Sequence, residues 1–311
     1  GTIVYTGVSA TNIQATTYHH LFLTPAATVT YTLGTGASQT INVGGNWVIG
    51  NNTDAVTVTT TTHSPNINIT GDLTVNNPAV LSGSGTGTII LNGNMSGTTS
   101  GAWSVSLTGG TFIHRVASAK IFGPPIATNW QFPDLRFENS SASPVTITLN
   151  ACTTGRVNGN SVTIGNASDT ASTTVNFETN DCRLVAGTDG LNITTQGVLV
   201  ASSDTGVDVS SGNWTNNGIF TANSSTVIFN SSIARTLNGS MTGANKFNNL
   251  QFPGSGAGGF AFSADAEIAN NFTILDGFVT APASLTIGGN FANSDTFTHN
   301  SGTVVFNDDT K

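Results

Sequence analysis

Two cysteines, Cys152 and Cys182, are the residues of this 311-residue chain whose type and number point most directly to chemistry. An even cysteine count is typical of a disulfide in extracellular proteins. Their separation is about one repeat of the chain plus a loop, so neighbouring repeats could bring them together. We expect one disulfide between them; two separate buried thiols are the alternative.

The chain also holds 16 acidic residues and five histidines, which could serve acid–base chemistry or bind a metal ion. Cleavage of a polysaccharide requires clustered carboxylates, with either a basic residue that abstracts a proton or a second acid. The acids are too scattered for their spacing to favour any set, so solvated loop acids are the simpler interpretation. The nearest groupings are Asp181 with Arg183 and Asp189, Asp204 with Asp208, and Asp308 with Asp309.

No histidine has a partner at a spacing typical of a zinc site. The adjacent His19 and His20 would point to opposite faces of a strand. The sequence therefore predicts a protein that is not an enzyme and that has no catalytic residues, no metal site and no cofactor.

The composition predicts which elements carry these residues. Gly, Thr, Asn and Ser supply about half of the chain, and charged residues supply only 8%, against about 25% in an ordinary globular protein. Thr, Val, Ile and Phe favour strands, whereas Lys and Glu, which fill helix surfaces, number three each. An all-β protein follows, and a helical protein or a coiled coil is excluded.

The same numbers exclude other classes. Apolar residues make up 37% of the chain and recur at short intervals, which argues against disorder. Eight scattered Lys and Arg residues cannot form the basic stripe that nucleic acid requires. No apolar run approaches the ~18 residues of a membrane span, so we expect neither a nucleic-acid partner nor a membrane span.

Internal repeats are the strongest pattern in the sequence. The first three copies of one segment each lead into a second shared strand, at 18–23, 135–138 and 247–252. The segment itself opens the chain as Gly1, Thr2, Ile3, Val4 and Tyr5, recurs at 110–114 and 225–230, and returns near the end as Gly302, Thr303, Val304, Val305 and Phe306.

A corner motif, in which Gly-Asn or a similar pair precedes a large apolar residue, recurs at steps of roughly 24 residues. Examples include Gly45, Gly71 and Gly93. Two longer segments, beginning at Gly212 and Gly289, match over 19 positions without a gap. We interpret the interval between them as about three repeats with an insertion.

This period, with three short alternating strands, fits one coil of a repetitive β-solenoid, a β-helix-like fold. Gly and Asn are expected at the corners. Thr and Asn at equivalent positions of successive coils are expected to form side-chain ladders along the stack. About 13 coils at about 4.8 Å each are predicted. Tandem β-sandwich modules of about 100 residues are the alternative.

Three regions are predicted: a β-repeat region at 1–109, a second at 110–211 with a Pro-rich insertion, and a third at 212–311 that ends in an open terminal strand. Proline is confined to the edges and loops of sheets. We therefore expect a protruding loop, or a boundary between subdomains, around Pro124, Pro125, Pro133 and Pro144.

The open ends suggest a function. Neither end shows a helical or charged cap, although solenoids usually carry polar caps and exposed strand edges recruit other strands. The first and last copies of the repeated segment, Gly1 to Tyr5 and Gly302 to Phe306, are thus predicted to form subunit contacts in a head-to-tail homopolymer. A fragment of a longer array is the alternative.

The phrases "ATTYHHLFLTP", "TYTLGTGASQTINVGGNW" and "GNWTNNGIFTANSSTVIFN" resemble the repeats of adhesin-like, β-solenoid surface proteins of bacteria. The resemblance implies a secreted or cell-surface structural role without catalytic residues. The first hypothesis is therefore an extracellular structural protein that self-assembles into a filament or surface layer by strand addition between subunits.

Two further hypotheses remain open. The first is a surface adhesin that binds glycans through exposed Thr and Asn faces, through the segment near Pro124, or through an aromatic platform such as Trp130 with Phe132. The second is a polysaccharide-active β-helix enzyme.

Overall fold

A computed structural model describes residues 1–98, 103–124, 128–150, 152, 155–254 and 258–307. Among the described residues, 54% lie in strands and 2% in helices, so the fold is all-β, and it winds through about 12 turns of a β-solenoid. This confirms the predicted fold class. The strand pairs between described residues are parallel, which contradicts the sandwich alternative because such sandwiches are built from antiparallel sheets.

Each coil of the solenoid contributes three strands in turn. We name the sides of the coil face 1, face 2 and face 3, in the order in which the chain crosses them. A strand pairs with the strand on the same face of the coils below and above, so each face is a ladder along the axis. In the sixth to eighth coils one long strand crosses both face 2 and face 3.

The first five coils contain β1 (Thr2–Tyr5), β2 (Thr11–Ile13), β3 (Thr17–Tyr18), β4 (His20–Leu23), β5 (Val29–Leu33), β6 (Thr40–Val43), β7 (Trp47–Ile49), β8 (Val56–Thr59), β9 (Asn66–Ile69), β10 (Leu73–Val75), β11 (Val80–Gly83), β12 (Thr88–Leu91), β13 (Met95–Gly97), β14 (Trp103–Leu107) and β15 (Thr111–Val116). The next three contain β16 (Lys120–Phe122), β17 (Asn129–Asn139), β18 (Val145–Leu149), β19 (Arg156–Ile164), β20 (Thr173–Asn176), a 3-10 helix (Glu178–Asn180) and β21 (Arg183–Ile193). The remaining coils contain β22 (Gly197–Val200), β23 (Val207–Ser210), β24 (Trp214–Asn216), β25 (Ile219–Thr221), β26 (Thr226–Asn230), β27 (Arg235–Gly239), a second 3-10 helix (Gly243–Asn245), β28 (Asn249–Phe252), β29 (Gly259–Phe262), β30 (Ala266–Ile268), β31 (Phe272–Ile274), β32 (Phe278–Thr280), β33 (Ser284–Ile287), β34 (Phe291–Asn293), β35 (Thr296–Thr298) and β36 (Thr303–Phe306).

Alternation of side chains along each strand builds the core. In β8, Val56 and Val58 are buried, whereas Thr57 and Thr59 lie on the outside. Because the coils stack in register, inward residues also stack along the axis. Trp47, Leu73 and Met95 are consecutive partners on face 1, and all three are fully buried.

The predicted glycine corners have no room for a side chain. A Cβ atom added to Gly71 would lie 2.5 Å from the carbonyl carbon of Gly45 in the coil below. A Cβ atom added to Gly93 would lie 2.1 Å from the carbonyl oxygen of Gly71. The spacing of these glycines is therefore set by steric contact between the backbones of stacked corners.

Asparagine ladders run beside these corners, as the sequence predicts. The amide nitrogen of Asp72 donates to Asn46 Oδ1 (3.1 Å), and that of Asn94 donates to Asp72 Oδ1 (2.7 Å), one coil further on. On face 3, Asn68 Nδ2 donates to Asn42 Oδ1 at 2.8 Å. Each side chain thus satisfies a polar group of the adjacent coil.

The interval between the two longest matching segments corrects our interpretation of the period. The strand that begins at Trp214 lies on face 3, whereas its match at Phe291 lies on face 2. The segments are thus three turns and two further faces apart, and no insertion is needed. The repeated unit is a run of strands and corners that fits any face.

The described residues around Pro124 and Pro133 belong to the solenoid, and the protruding loop or subdomain boundary expected there stays a prediction. β15 to β18 continue the ladders here, and Pro124 is buried. Pro133 is accommodated inside β17 because the pairing with β19 passes from Phe132 to Asp134 and skips it. Pro125 lies outside the described residues.

Strand pairing continues across both predicted region boundaries, at 109/110 and 211/212. The division into three regions stays a prediction. Within the part of the chain that the structure describes, no helix is long and apolar enough to span a membrane.

Candidate functional site: the two end coils

The N-terminal end coil presents an open strand edge. β1 pairs with β4 in the register Thr2–His20 to Tyr5–Leu23, and no other described strand lies on its opposite edge. Ile3, which faces inward over Leu21, is 48% exposed, and Val4 is 49% exposed. Inward and outward apolar side chains are thus uncovered at this end.

The three tyrosines of the chain order this end coil. The Tyr18 hydroxyl donates to the carbonyl oxygen of Gln14 (2.8 Å) and lies 3.4 Å from the Tyr5 hydroxyl. Tyr31 Oη donates to the carbonyl oxygen of Gly7 at 2.9 Å. Burial raises the pKa of both Tyr18 and Tyr31, so these phenols remain neutral donors, Tyr31 to the loop after β1 and Tyr18 to the segment between β2 and β3.

The C-terminal end coil presents a second open edge. β36 pairs with β33, from Thr303–Ser284 to Phe306–Ile287, and among the described strands none covers its other side. Val305 is 43% and Phe306 60% exposed. The inward rings of Phe291 and Phe297, whose centroids are 5.3 Å apart, line the same end.

The predicted contact strands therefore lie at opposite ends of the stack, both on face 1. β1 is the first strand of this face, and β36 is the last strand of its described part. Ten large apolar side chains of described residues are exposed, and half of them belong to the end coils. These five are Ile3, Val4, Val8, Val305 and Phe306.

The two cysteines are bonded to each other and buried. Cys152 follows β18 and Cys182 precedes β21, so the disulfide links adjacent coils, with a Cα–Cα distance of 4.9 Å. The pairing expected from the sequence is the one the structure contains. It lies mid-stack, away from both open edges.

Two of the acidic candidates, Asp208 and Asp181, each contact a residue of an adjacent coil. Arg183 Nη2 forms an ion pair with Asp208 Oδ2 at 2.9 Å, one coil away. Asp181 accepts a hydrogen bond from Ser202 Oγ at 3.1 Å. Among the described residues, no group of three or more His, Cys, Asp or Glu side chains could hold a metal ion. The pair Asp308 and Asp309 lies outside the described residues.

The histidines differ from one another in environment. The rings of His19 and His20 stack at 4.3 Å, so the prediction of opposite faces is wrong; a corner separates them, since β3 ends before His19 and β4 begins at His20. His114 lies in the core with Nε2 2.7 Å from the carbonyl oxygen of Gly93. Burial lowers its pKa to about 4, so it is neutral at pH 7.

Trp130 and Phe132, the example given for an aromatic platform, are both fully buried and form no exposed surface. The outside of face 2 instead forms a shallow groove of about 680 Å³. The sequence alone could not locate this groove, since its residues come from five coils. It is lined by Thr57, Val80, Ser82, Ser106, Thr108, Gln131 and Asn160.

Comparison with protein-family models, with curated proteins and with solved structures finds no match for this chain. The β-solenoid part of the resemblance is confirmed by the fold, whereas the adhesin-like identity gains no support from the comparisons.

Proposed function

We propose that this protein is an extracellular structural protein whose copies stack head to tail into a filament or surface layer. One observation carries the proposal: among the described residues, the first and last strands of face 1 each have one edge that no other strand covers, with exposed apolar side chains beside it. Such edges template the addition of another strand. Because the two ends differ, the contact is heterologous and need not close, which produces an open polymer.

Among the described residues, backbone hydrogen bonds use only the edge of β1 that faces β4. His20 N donates to Gly1 O (3.3 Å) and Thr24 N donates to Tyr5 O (3.0 Å). Hydrogen-bonding groups alternate between the two edges of a parallel strand, so the amides of Thr2 and Val4 face the open edge.

The open edge of β36 is complementary. Thr303 N donates to Ala283 O (2.8 Å), and Asn307 N donates to Ile287 O (2.9 Å). By the same alternation, the amides of Val304 and Phe306 face outward along the axis. Each end of the stack therefore offers both donors and acceptors to a parallel strand.

Composition and covalent structure agree with this role. A net charge of −8 over 311 residues opposes stacking only weakly. A disulfide is typical of secreted proteins, which supports a location at the cell surface or in the extracellular space. The resemblance to bacterial surface repeats points in the same direction.

The test is electron microscopy and sedimentation of the purified chain and of Val4→Pro. Proline removes an amide that faces the open edge and is not used within the chain. We expect filaments from the unaltered chain and isolated rods from Val4→Pro. Val4→Thr is the matched control, because it keeps the amide and a β-branched side chain, and it should form filaments. Isolated rods from the unaltered chain would refute the proposal.

The groove on face 2 favours a second candidate function, a glycan-binding adhesin. Its hydroxyl and amide side chains, such as Ser106, Gln131 and Asn160, can hydrogen-bond to sugar hydroxyls. A glycan array, followed by Gln131→Ala with Asn160→Ala, tests this candidate. Binding that survives the double substitution would exclude the groove as the site.

A further inference from the structure

We infer that a pocket on face 1, beside a bulge in the chain, is a binding site for a single neutral sugar unit. The pocket lies within the stack, so the inference does not depend on the proposed head-to-tail assembly. It also lies on a different face from the groove that favours a glycan-binding adhesin.

A bulge of the backbone frames the pocket. Met241 pairs with Ala266 in the coil above. Phe247 pairs with Ile268, so residues 242–246 lie opposite a single residue of that coil. The first three residues of this segment are exposed, and a 3-10 turn follows its first residue. Bulges are over-represented beside functional sites, where they redirect side chains. The bulge therefore replaces one strand position of face 1 by a projecting turn.

Glu267, the residue opposite the bulge, fixes the turn from above. Gly243 N donates to Glu267 Oε2 at 3.0 Å, and Lys246 Nζ donates to Glu267 Oε1 at 2.9 Å. The hydrogen bonds from Lys246 and Gly243 lower the pKa of Glu267. The carboxylate is therefore charged at pH 7, and its ion pair with Lys246 holds the turn on the ladder.

Asn245 fixes the same turn from below. Its Oδ1 accepts a hydrogen bond from Phe220 N at 2.8 Å, and its Nδ2 donates to Gly218 O at 3.4 Å. In a parallel ladder the backbone N–H and C=O of one residue would make these two bonds, so the side-chain amide stands in for the missing strand position. A turn held from both sides keeps the pocket in one shape before a ligand arrives, which favours binding.

The pocket lies between this turn and the end of face 1. Its walls come from three coils: residues 221–223 below, residues 243–244 and 246–248 beside it, and Ala269 above. Its volume is about 260 Å³. Sites for drug-sized ligands are larger, at about 300–1,000 Å³, so this pocket fits a ligand the size of about one sugar ring.

Uncharged polar groups line the pocket. Among the described residues, the Thr221 hydroxyl and the Asn248 side-chain amide have no hydrogen-bond partner. The adjacent Asn249, by contrast, accepts hydrogen bonds at Oδ1 from Asn271 in the coil above. Hydroxyl and amide groups both donate and accept hydrogen bonds, as the hydroxyls of a sugar do. Thr221 and Asn248 are thus available to a ligand of this chemistry.

The charge and the apolar surface of the pocket favour the same ligand. All of its lining residues are described, and Lys246 alone among them is charged. Its partner Glu267, at 2.9 Å, neutralises it, so a charged ligand would lose water there without gaining an opposite unpaired charge. The methyl groups of Ala222, Ala244 and Ala269 line the remaining surface, which suits the C–H face of a sugar ring.

Saturation-transfer difference NMR tests the site with four probes: methyl glucoside, methyl galactoside, methyl mannoside and N-acetylglucosamine. The method detects weak binding to rods and filaments alike. We expect at least one sugar to bind, and Asn248→Ala to weaken its binding about fivefold or more, because a hydrogen bond is lost. Thr221→Val should act in the same direction. Asn217→Ala, at an exposed position outside the pocket, is the matched control and should bind as the unaltered chain does.

Filling the pocket is the second test. Ala269 is exposed, so Ala269→Phe places a ring in the pocket without entering the core and should abolish binding. Ala117→Phe, at another exposed position, is the control and should leave binding unchanged. Circular dichroism establishes that each variant folds, and if Ala269→Phe does not, Asn248→Ala decides the outcome.

The results separate this site from the other proposals. Failure of all four sugars to bind overturns the inference, as does binding of inorganic phosphate or acetate without any sugar. Sugar binding that survives both Asn248→Ala and Ala269→Phe also overturns it. If that binding is instead lost in Gln131→Ala/Asn160→Ala, the sugar lies in the groove on face 2. Filament formation affects none of these results, so the inference and the proposed assembly can fail separately.

Discussion

His114 Nε2 lies 2.7 Å from the carbonyl oxygen of Gly93, inside the core and one coil above it. The other ring nitrogen, Nδ1, is buried without a hydrogen-bond partner. The pKa of this imidazole is about 4, against about 6.5 in an unfolded chain. The folded state therefore excludes a proton that the unfolded state binds.

Acidification between pH 6.5 and pH 4 is expected to destabilise the fold through His114. The contribution of neutral His114 to the free energy of unfolding is fully present above pH 6.5 and is lost as the pH falls toward the lowered pKa. The loss reaches about 3 kcal/mol at most. Denaturant unfolding at pH 7, 5.5 and 4.5 measures it, and His114→Phe should remove this share of the pH dependence. His63→Phe, at a half-buried position, is the control, and an unchanged pH dependence in His114→Phe would contradict the assignment.

Gly93→Ala is expected to lower the free energy of unfolding by about 1–3 kcal/mol, the usual cost of overpacking. The added methyl group would lie 2.1 Å from the carbonyl oxygen of Gly71, so one of the two corners must shift. Gly7→Ala is the matched control, because a Cβ atom there meets no other atom within 4 Å. Equal unfolding midpoints for the two variants would show that the corners yield without cost.

Loss of the disulfide is expected to lower the unfolding midpoint by the equivalent of about 2–4 kcal/mol. The bond closes a loop across two coils, with a sequence separation of 30 residues. Thermal unfolding with and without a reducing agent measures the effect. The double variant Cys152→Ala/Cys182→Ala should have the lower midpoint under both conditions. If reduction shifts the double variant as well, the effect does not arise from this bond.

Asn245→Ala is expected to open face 1 locally. The strand ladder of this face is interrupted at Gly243–Asn245, and there Phe220 N donates to Asn245 Oδ1 at 2.8 Å in place of a backbone oxygen. Leaving that amide without a partner costs about 1–3 kcal/mol, and hydrogen exchange at Phe220 should accelerate accordingly. Asn217→Ala, at an exposed position, should leave the exchange rate at Phe220 unchanged.

Local features of this fold follow from the sequence, because they depend on neighbours along the chain. Alternation in segments such as Val56 to Thr59 predicts strands with one buried side, and the glycines at 45, 71 and 93 predict stacked corners. The same rule could have placed Trp130 and Phe132 in the core, since they alternate with the half-exposed Gln131; their aromatic character misled the interpretation.

Ion pairs between coils were beyond the sequence, because they depend on the length of each turn. Arg183 pairs with Asp208 and not with Asp181 because 25 residues separate Arg183 from Asp208, which is one full coil. The interval between Gly212 and Gly289 was misread for a related reason: a segment that fits every face does not reveal which face it occupies.

The interruption of the face 1 strand ladder at Gly243–Asn245 also affects how the solenoid responds to a pulling force. The backbone hydrogen bonds of a solenoid point along its axis, so a pull on the two ends loads every coil in series and the three faces of each coil in parallel. At Gly243–Asn245 the contact with β25 depends on the side chain of Asn245 where other coils use backbone ladders. Under tension, we expect the strands of this coil to separate first and to lengthen the molecule there, while the strands of the coils on either side remain paired.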